Sequence, residues 1–159
     1  MTELVLMRHG RALSRTEAGV ASDSERPLSP LGEKEALEAA MHLNASGFKP
    51  DLIVSSPFSR AARTAEIAAG VFPAAGRKTA PALSDGPAQA IIDLIGSLAA
   101  NGSRVLVVGH QPLMGAIAGF FSGQAGFDLS PAGFVRIERA EQPGRASLVE
   151  YYDPPPPKD

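Results

Sequence analysis

Arg8, His9 and Gly10 stand in succession after a short apolar run, and an arginine beside a histidine suits attack on a phosphoryl group. A guanidinium is a permanent planar cation, and an imidazole is a largely neutral nucleophile near physiological pH. Phosphoryl transfer needs positive charge and hydrogen-bond donors around three equatorial oxygens, with a nucleophile in line with the leaving group. Arg60 offers a second planar fork. His110, as an imidazolium, would stabilise charge in the transition state. One ring nitrogen of His9 would attack while the other donates to a carbonyl or carboxylate, which fixes the tautomer. Gln111 and the helix that opens after Pro112 would add donors on the substrate side.

These residues need elements that bring them together. Met1–Met7 reads as a buried strand, because its apolar run is too short for a helix. Residues Arg11 to Pro27 read as a polar loop, and Ser29-Pro30 as the cap and first turn of a helix stopping near Gly47. On that helix Leu37, Ala40 and Leu43 share one face; Lys34, Glu35, Glu38 and His42 share the other. Asp51–Ser55 is a second strand, followed by a turn at Ser56-Pro57 and a helix from about Ser59 to Ala69. Residues Phe72 to Ala82 are rich in Pro, Gly and Ala, a loop with room for a short strand. Ile91, Leu94, Ile95 and Leu98 carry helical spacing up to Asn101-Gly102. Arg104–Val108 is an apolar strand, and Gly109 to Pro112 turn into a helix ending near Gly123. Phe134–Glu138 and Ala146–Tyr151 form a terminal strand pair, and Pro154–Pro157 is an extended tail.

Alternating strands and helices predict a three-layer α/β/α sandwich around a mostly parallel sheet. Three polar turns follow three predicted strands: Arg8-His9-Gly10, Ser55-Ser56-Pro57 and Gly109-His110. In a parallel sheet such turns converge on the carboxyl edge, where open α/β sheets hold their ligands. The expectation is one domain over residues 1–152 with a Pro-rich tail at 153–159.

Bulk properties narrow the function classes. The chain has 159 residues, 44% hydrophobic and 20% charged, with a net charge of −2. That balance gives no support for nucleic acid or an acidic membrane surface as the main partner. With no cysteine there is no disulfide framework, thiol nucleophile or thiolate metal site. Glu3 and Arg8 interrupt the first apolar run, so no secretory signal is read, and a soluble cytoplasmic protein is the default expectation. His9 and His110 have no third zinc ligand at typical spacing.

Three segments together resemble a known family. Leu-Met-Arg-His-Gly at 6–10, Ser-Ser-Pro-Phe-Ser-Arg-Ala-Ala-Arg-Thr-Ala at 55–65 and Val-Gly-His at 108–110 are similar to the histidine phosphatase, or phosphoglycerate mutase-like, superfamily. The short length and Asp23-Ser-Glu-Arg-Pro-Leu-Ser-Pro-Leu-Gly32 resemble its SixA-type phosphohistidine phosphatase branch. The resemblance implies a phosphohistidine intermediate on His9, a phosphate pocket of Arg8, Arg60 and His110, and no metal or organic cofactor. Arg60 is preferred to Arg63 because it opens the Arg-Ala-x-x-Thr stretch.

Larger relatives carry an acidic proton donor before the helix that here begins near Pro87; the nearby acid is Asp85. Asp85 also fits a helix N-terminus. An alcohol is a poor leaving group and needs an acid, whereas imidazole leaves with little help. The expected reaction is therefore removal of phosphate from a protein histidine. A broad small-molecule phosphatase or a mutase is the alternative within enzymes, and a non-catalytic phosphohistidine-binding module the alternative outside them. The expected partner is a phosphorylated protein or small phosphorylated molecule. Among other polar residues, Asp23 and Arg26 border the substrate or form a salt-bridged loop. His42 pairs with Glu38 on a solvated face, Arg63 faces solvent or a carboxylate, and Ser55 and Ser56 lack the elbow of a nucleophilic serine.

Overall fold

The computed structural model describes residues 2–99, 102–139 and 146–156. Strand β1 (Thr2–Arg8) is followed by a short helix α1 (Arg15–Ala18), a 3-10 turn at Asp23–Glu25, and helix α2 (Pro30–Ala45). Then come β2 (Leu52–Ser55), α3 (Ser59–Val71), β3 (Gly76–Thr79), α4 (Ala82–Asp85) and α5 (Ala88–Leu98). Strand β4 (Arg104–Gly109), α6 (Leu113–Ser122), β5 (Phe134–Arg139) and β6 (Ala146–Tyr152) complete the order.

The six strands form one sheet in the order β3-β2-β4-β1-β5-β6. Strands β3, β2, β4 and β1 run parallel, and β5 runs antiparallel to both its neighbours, β1 and β6. Both faces of the central strands are covered, which explains their unbroken apolar runs. Successive side chains alternate between faces. Leu4, Leu6, Val105 and Val107 pack with Ile91 and Ile95 of α5 and Met114 and Ile117 of α6. Val5, Met7, Leu106 and Val108 pack on the other face with Ala39, Ala40 and Leu43 of α2 and Ala61, Ala65 and Ala68 of α3. The predicted three-layer α/β/α architecture is therefore what the chain adopts. Alanines on α2 and α3 let both helices lie close to the sheet.

The register brings the polar turns to one edge. Arg8 stands opposite Gly109, and Ser55 opposite Val108. Backbone pairing continues beyond the strands: His9 N–H donates to Gly109 O at 3.0 Å, Ser56 N–H to Val108 O at 3.1 Å, and Ala132 N–H to His9 O at 3.0 Å.

Several expectations need correction. Residues 11–27 are not one irregular loop: Ser14 caps α1 with a capping box, and Ala12 bridges Leu28. On α2, Leu37 is 43% exposed while Glu35 is buried. Glu35 turns inward because Arg11 supplies a partner, Nε to Oε1 at 3.4 Å. His42 Nε2–H donates to Glu150 Oε2 across the layer at 2.8 Å rather than pairing with Glu38. Asp85 closes α4, and it is Pro87 that caps α5. Within the tail, Pro154, Pro155 and Pro156 line a cleft with Leu31, Lys34, Glu35 and Glu38. Pro157 and Asn101 lie outside the described residues. No helix among the described residues is long and apolar enough to cross a membrane.

One close approach positions the site. A Cβ on Gly32 would stand 1.9 Å from Arg11 O, and one on Gly10 would stand 2.6 Å from Gly32 O. Only glycines at both positions let the first turn of α2 press on the loop leaving His9.

Candidate active site

At the carboxyl edge of the sheet lies a cavity of about 500 Å³ lined by Arg8, His9, Arg11, Ala12, Asp23, Arg26, Phe58, Arg60, Ser84, His110, Gln111 and Pro131. The structure thus brings Arg8, His9, Arg60, His110 and Gln111 together, from two strand ends and one helix. Asp85 is exposed and does not line the cavity.

His9 is buried, and its Nδ1 lies 2.6 Å from Gly10 O. A carbonyl only accepts, so Nδ1 carries the proton and Nε2 presents its lone pair. Arg60 Nε–H donates to that Nε2 at 3.3 Å. Burial pushes the His9 pKa down to about 3, reinforced by the positive surroundings of His110, Arg60 and Arg8. His110 is pushed down to about 4, again by burial first and then by Arg60. Both imidazoles are therefore neutral at pH 7. The rings are 5.2 Å apart at their centroids, edge to face.

Arg60 is aimed from both sides. Its Nη1 donates to Asp23 O at 2.7 Å and its Nη2 to Asp23 Oδ2 at 3.0 Å. Asp23 also accepts from Arg26 at 3.0 Å. These two arginines hold the Asp23 carboxyl below its ordinary range, Arg26 contributing most. One turn beyond Arg60 in α3, Thr64 accepts from Gly10 N–H at 3.1 Å and donates to Arg60 O at 2.8 Å. The i, i+4 spacing thus lets one helix face hold both the Arg60 guanidinium and the loop that carries His9. Arg8 Nη1 donates to Leu129 O at 2.9 Å, while its Nε is buried with no partner among the described residues. His110 Nδ1 is buried in the same condition. Such orphaned groups are costly, and an anion with several acceptor oxygens would relieve that cost.

Gln111 spends its side chain on structure as well as lining the cavity. Its Oε1 accepts from Gly115 N–H at 3.0 Å and its Nε2 donates to Phe127 O at 2.8 Å. Ser56 is fully buried, 2.9 Å from His110 Nε2 and 2.6 Å from Ser84 Oγ. Arg63 is turned away onto Glu33 and Glu66, as expected. Sequence reasoning missed Thr64 and Ser84, and weighed Ser56 only as a nucleophile. The Arg60-to-Thr64 spacing was a readable signal; the meeting of Ser56 and Ser84 was not. Among the described residues no group of three or more His, Cys, Asp or Glu could hold a metal ion.

The His9 shift has a consequence for stability. In the unfolded chain His9 titrates near its ordinary 6.5, but in the folded protein only near 3. Between those values the unfolded chain binds more protons, so stability falls as the pH falls through the window. Thermal melts are expected to show Tm dropping by about 5 °C or more between pH 7 and pH 4. His9→Gln should lessen that drop and leave the share that His110 contributes; a Tm independent of pH would contradict this reading of the buried ring.

The sequence profile of the histidine phosphatase superfamily (branch 1) matches residues 4–85. An uncharacterised protein of Picosynechococcus is 36% identical over 142 residues, covering 85% of this chain and 84% of that protein. A 2,3-bisphosphoglycerate-dependent phosphoglycerate mutase of Thermobifida fusca is 40% identical over 68 residues, but that match spans only 43% of this chain and 28% of the mutase. Among solved structures, the protein histidine phosphatase SixA in complex with tungstate has a TM-score of 0.84 at 24% identity, with 95% of this chain and 96% of that chain covered.

Proposed function

Because the chain belongs to the histidine phosphatase superfamily, we propose that it is a phosphatase acting on phosphohistidine in a protein substrate through an intermediate on His9. The observation that carries the substrate choice is the state of Asp23. It is the only carboxylate among the described residues lining the cavity, and Arg26 and Arg60 both bind it. A carboxylate held ionised by two guanidiniums cannot donate a proton. A phosphorylated imidazole can take a proton on its free ring nitrogen from solvent and leave as neutral imidazole, with no carboxylic acid to help it. An alkoxide cannot.

His9 Nε2 attacks phosphorus in line, and the bond to the leaving nitrogen breaks. Water then attacks the phosphorylated His9 from the vacated side and releases phosphate. Arg8 and Arg60 bind the equatorial oxygens, and His110 becomes an imidazolium as the dianion enters, its Nδ1–H donating to the bound group. The fold neighbour solved with tungstate, a phosphate-like oxyanion, supports the phosphate-pocket reading. Residues 1–152 serve as the catalytic domain in this reading, and the 153–159 tail lies outside its chemistry.

Phosphate release from a phosphohistidine peptide, phosphoserine, phosphotyrosine and 3-phosphoglycerate tests the proposal. The expected kcat/KM on phosphohistidine exceeds that on phosphoserine by about 100-fold or more, since a positioned acid is worth about that much to an alkyl ester. Equal rates would overturn the substrate assignment, and mutase turnover of 3-phosphoglycerate would favour the alternative enzyme.

A further inference from the structure

The neutral His110, the buried Ser56 and the half-buried Ser84 form a continuous chain ending at the cavity wall. His110 Nε2 lies 2.9 Å from Ser56 Oγ, and Ser56 Oγ lies 2.6 Å from Ser84 Oγ. Phe58 N–H already donates to Ser56 Oγ at 3.2 Å. With that oxygen accepting, the chain runs outward when His110 carries a proton on Nε2: Nε2–H to Ser56, Ser56 O–H to Ser84, Ser84 O–H into the cavity. Both ends, His110 and Ser84, line the cavity that holds His9. Helix α4 turns Ser84 inward and leaves Asp85 outside.

We propose that Ser84 ends a hydroxyl relay from His110 through Ser56, and that it determines how basic a leaving group this site can expel. The inference rests on the phosphatase reading above. When the dianion binds, His110 is doubly protonated. As the bond from phosphorus to the leaving atom breaks, Ser84 O–H passes its proton to that atom. Ser84 takes the Ser56 proton, and Ser56 takes the proton from His110 Nε2. His110 ends one proton poorer and the leaving group one richer. In the second step water bonds to phosphorus, the bond to His9 Nε2 breaks, and the water's proton returns along the same path to His110. The net donor is the His110 imidazolium, reached through two hydroxyls, so the help the relay gives grows with the basicity of the leaving group.

A series of aryl phosphates with progressively more basic phenols reads this directly. Ser84→Ala is expected to leave kcat/KM nearly unchanged for the least basic phenol and to lower it about tenfold for the most basic, so that its rate falls more steeply across the series. Ser84→Thr keeps a hydroxyl and is expected to restore the parent slope. A structural role would lower every rate together, so parallel slopes for Ser84→Ala and the parent would overturn the relay while leaving the phosphatase reading intact. A parent protein without turnover on any member, and on phosphohistidine, would overturn both.

Discussion

Replacing His9 by alanine is expected to abolish phosphate release, lowering kcat by about 10⁴-fold or more, while the fold and oxyanion binding survive. Survival follows from where His9 is anchored. Its backbone N–H donates to Gly109 O and its carbonyl accepts from Ala132 N–H, both at 3.0 Å, and neither bond needs the imidazole. The variant also removes the ring that resists protonation, so its acid stability should improve. Oxyanion affinity stays because Arg8, Arg60 and His110 remain around the vacated space. Two measurements check it. Rapid acid-free quenching of the parent with labelled substrate should trap a phosphoenzyme that His9→Ala cannot form. Tungstate titration should give similar affinity in both proteins. Turnover in the variant within tenfold of the parent would remove His9 as nucleophile. A parent that binds phosphohistidine without releasing phosphate would favour the binding module.

How far the site could be read from the chain depended on the range of each interaction. Strands β1, β2 and β4 are uniformly apolar because both sheet faces are covered, and that local signal placed Arg8, His9 and His110 at strand ends. Arg60 was legible because it lies in the first turn of the helix that directly follows β2. Asp23 was only half legible. Its acid type suggested a salt bridge with neighbouring Arg26, which exists, but its grip on Arg60 spans 37 residues and has no periodicity to betray it. The burial of Glu35 shows the same limit. Helical spacing assigned it to solvent, and Arg11, from a segment read as loop, supplied the charge that draws it in. Ser84 lies in a stretch where the notable residue is the adjacent acid, and only the turn of α4 reveals which of the two faces the cavity.

The Asp23 clamp makes Arg60 the site of the second large effect. Arg60→Ala is expected to lower kcat by about 10²–10³-fold, the usual loss when a charged donor to a transition-state oxyanion is removed. Arg60→Lys should recover little. The guanidinium places Nε beside His9 Nε2 while Nη1 and Nη2 hold the Asp23 carbonyl and carboxylate. A single ammonium cannot keep that planar division of labour. Removing Arg60 does more than delete a donor, because it strips the Asp23 carboxylate of one of its two arginine partners at the edge of the cavity proposed to take the dianion. Asp23 is still bound by Arg26 and is 56% exposed on its side chain, so solvent screens part of the repulsion. The remainder should appear in KM. Asp23→Ala alone is expected to lower kcat, because Arg60 loses its orientation. Added to Arg60→Ala, it should lower KM relative to that single variant, because the unbalanced negative charge is gone. A cycle of the four proteins, with kcat and KM measured separately, decides the point. Strictly additive effects would mean that Asp23 and Arg60 act independently. Coupling of opposite sign in kcat and KM is what a carboxylate that aims a catalytic cation, and repels the substrate once that cation is lost, must produce.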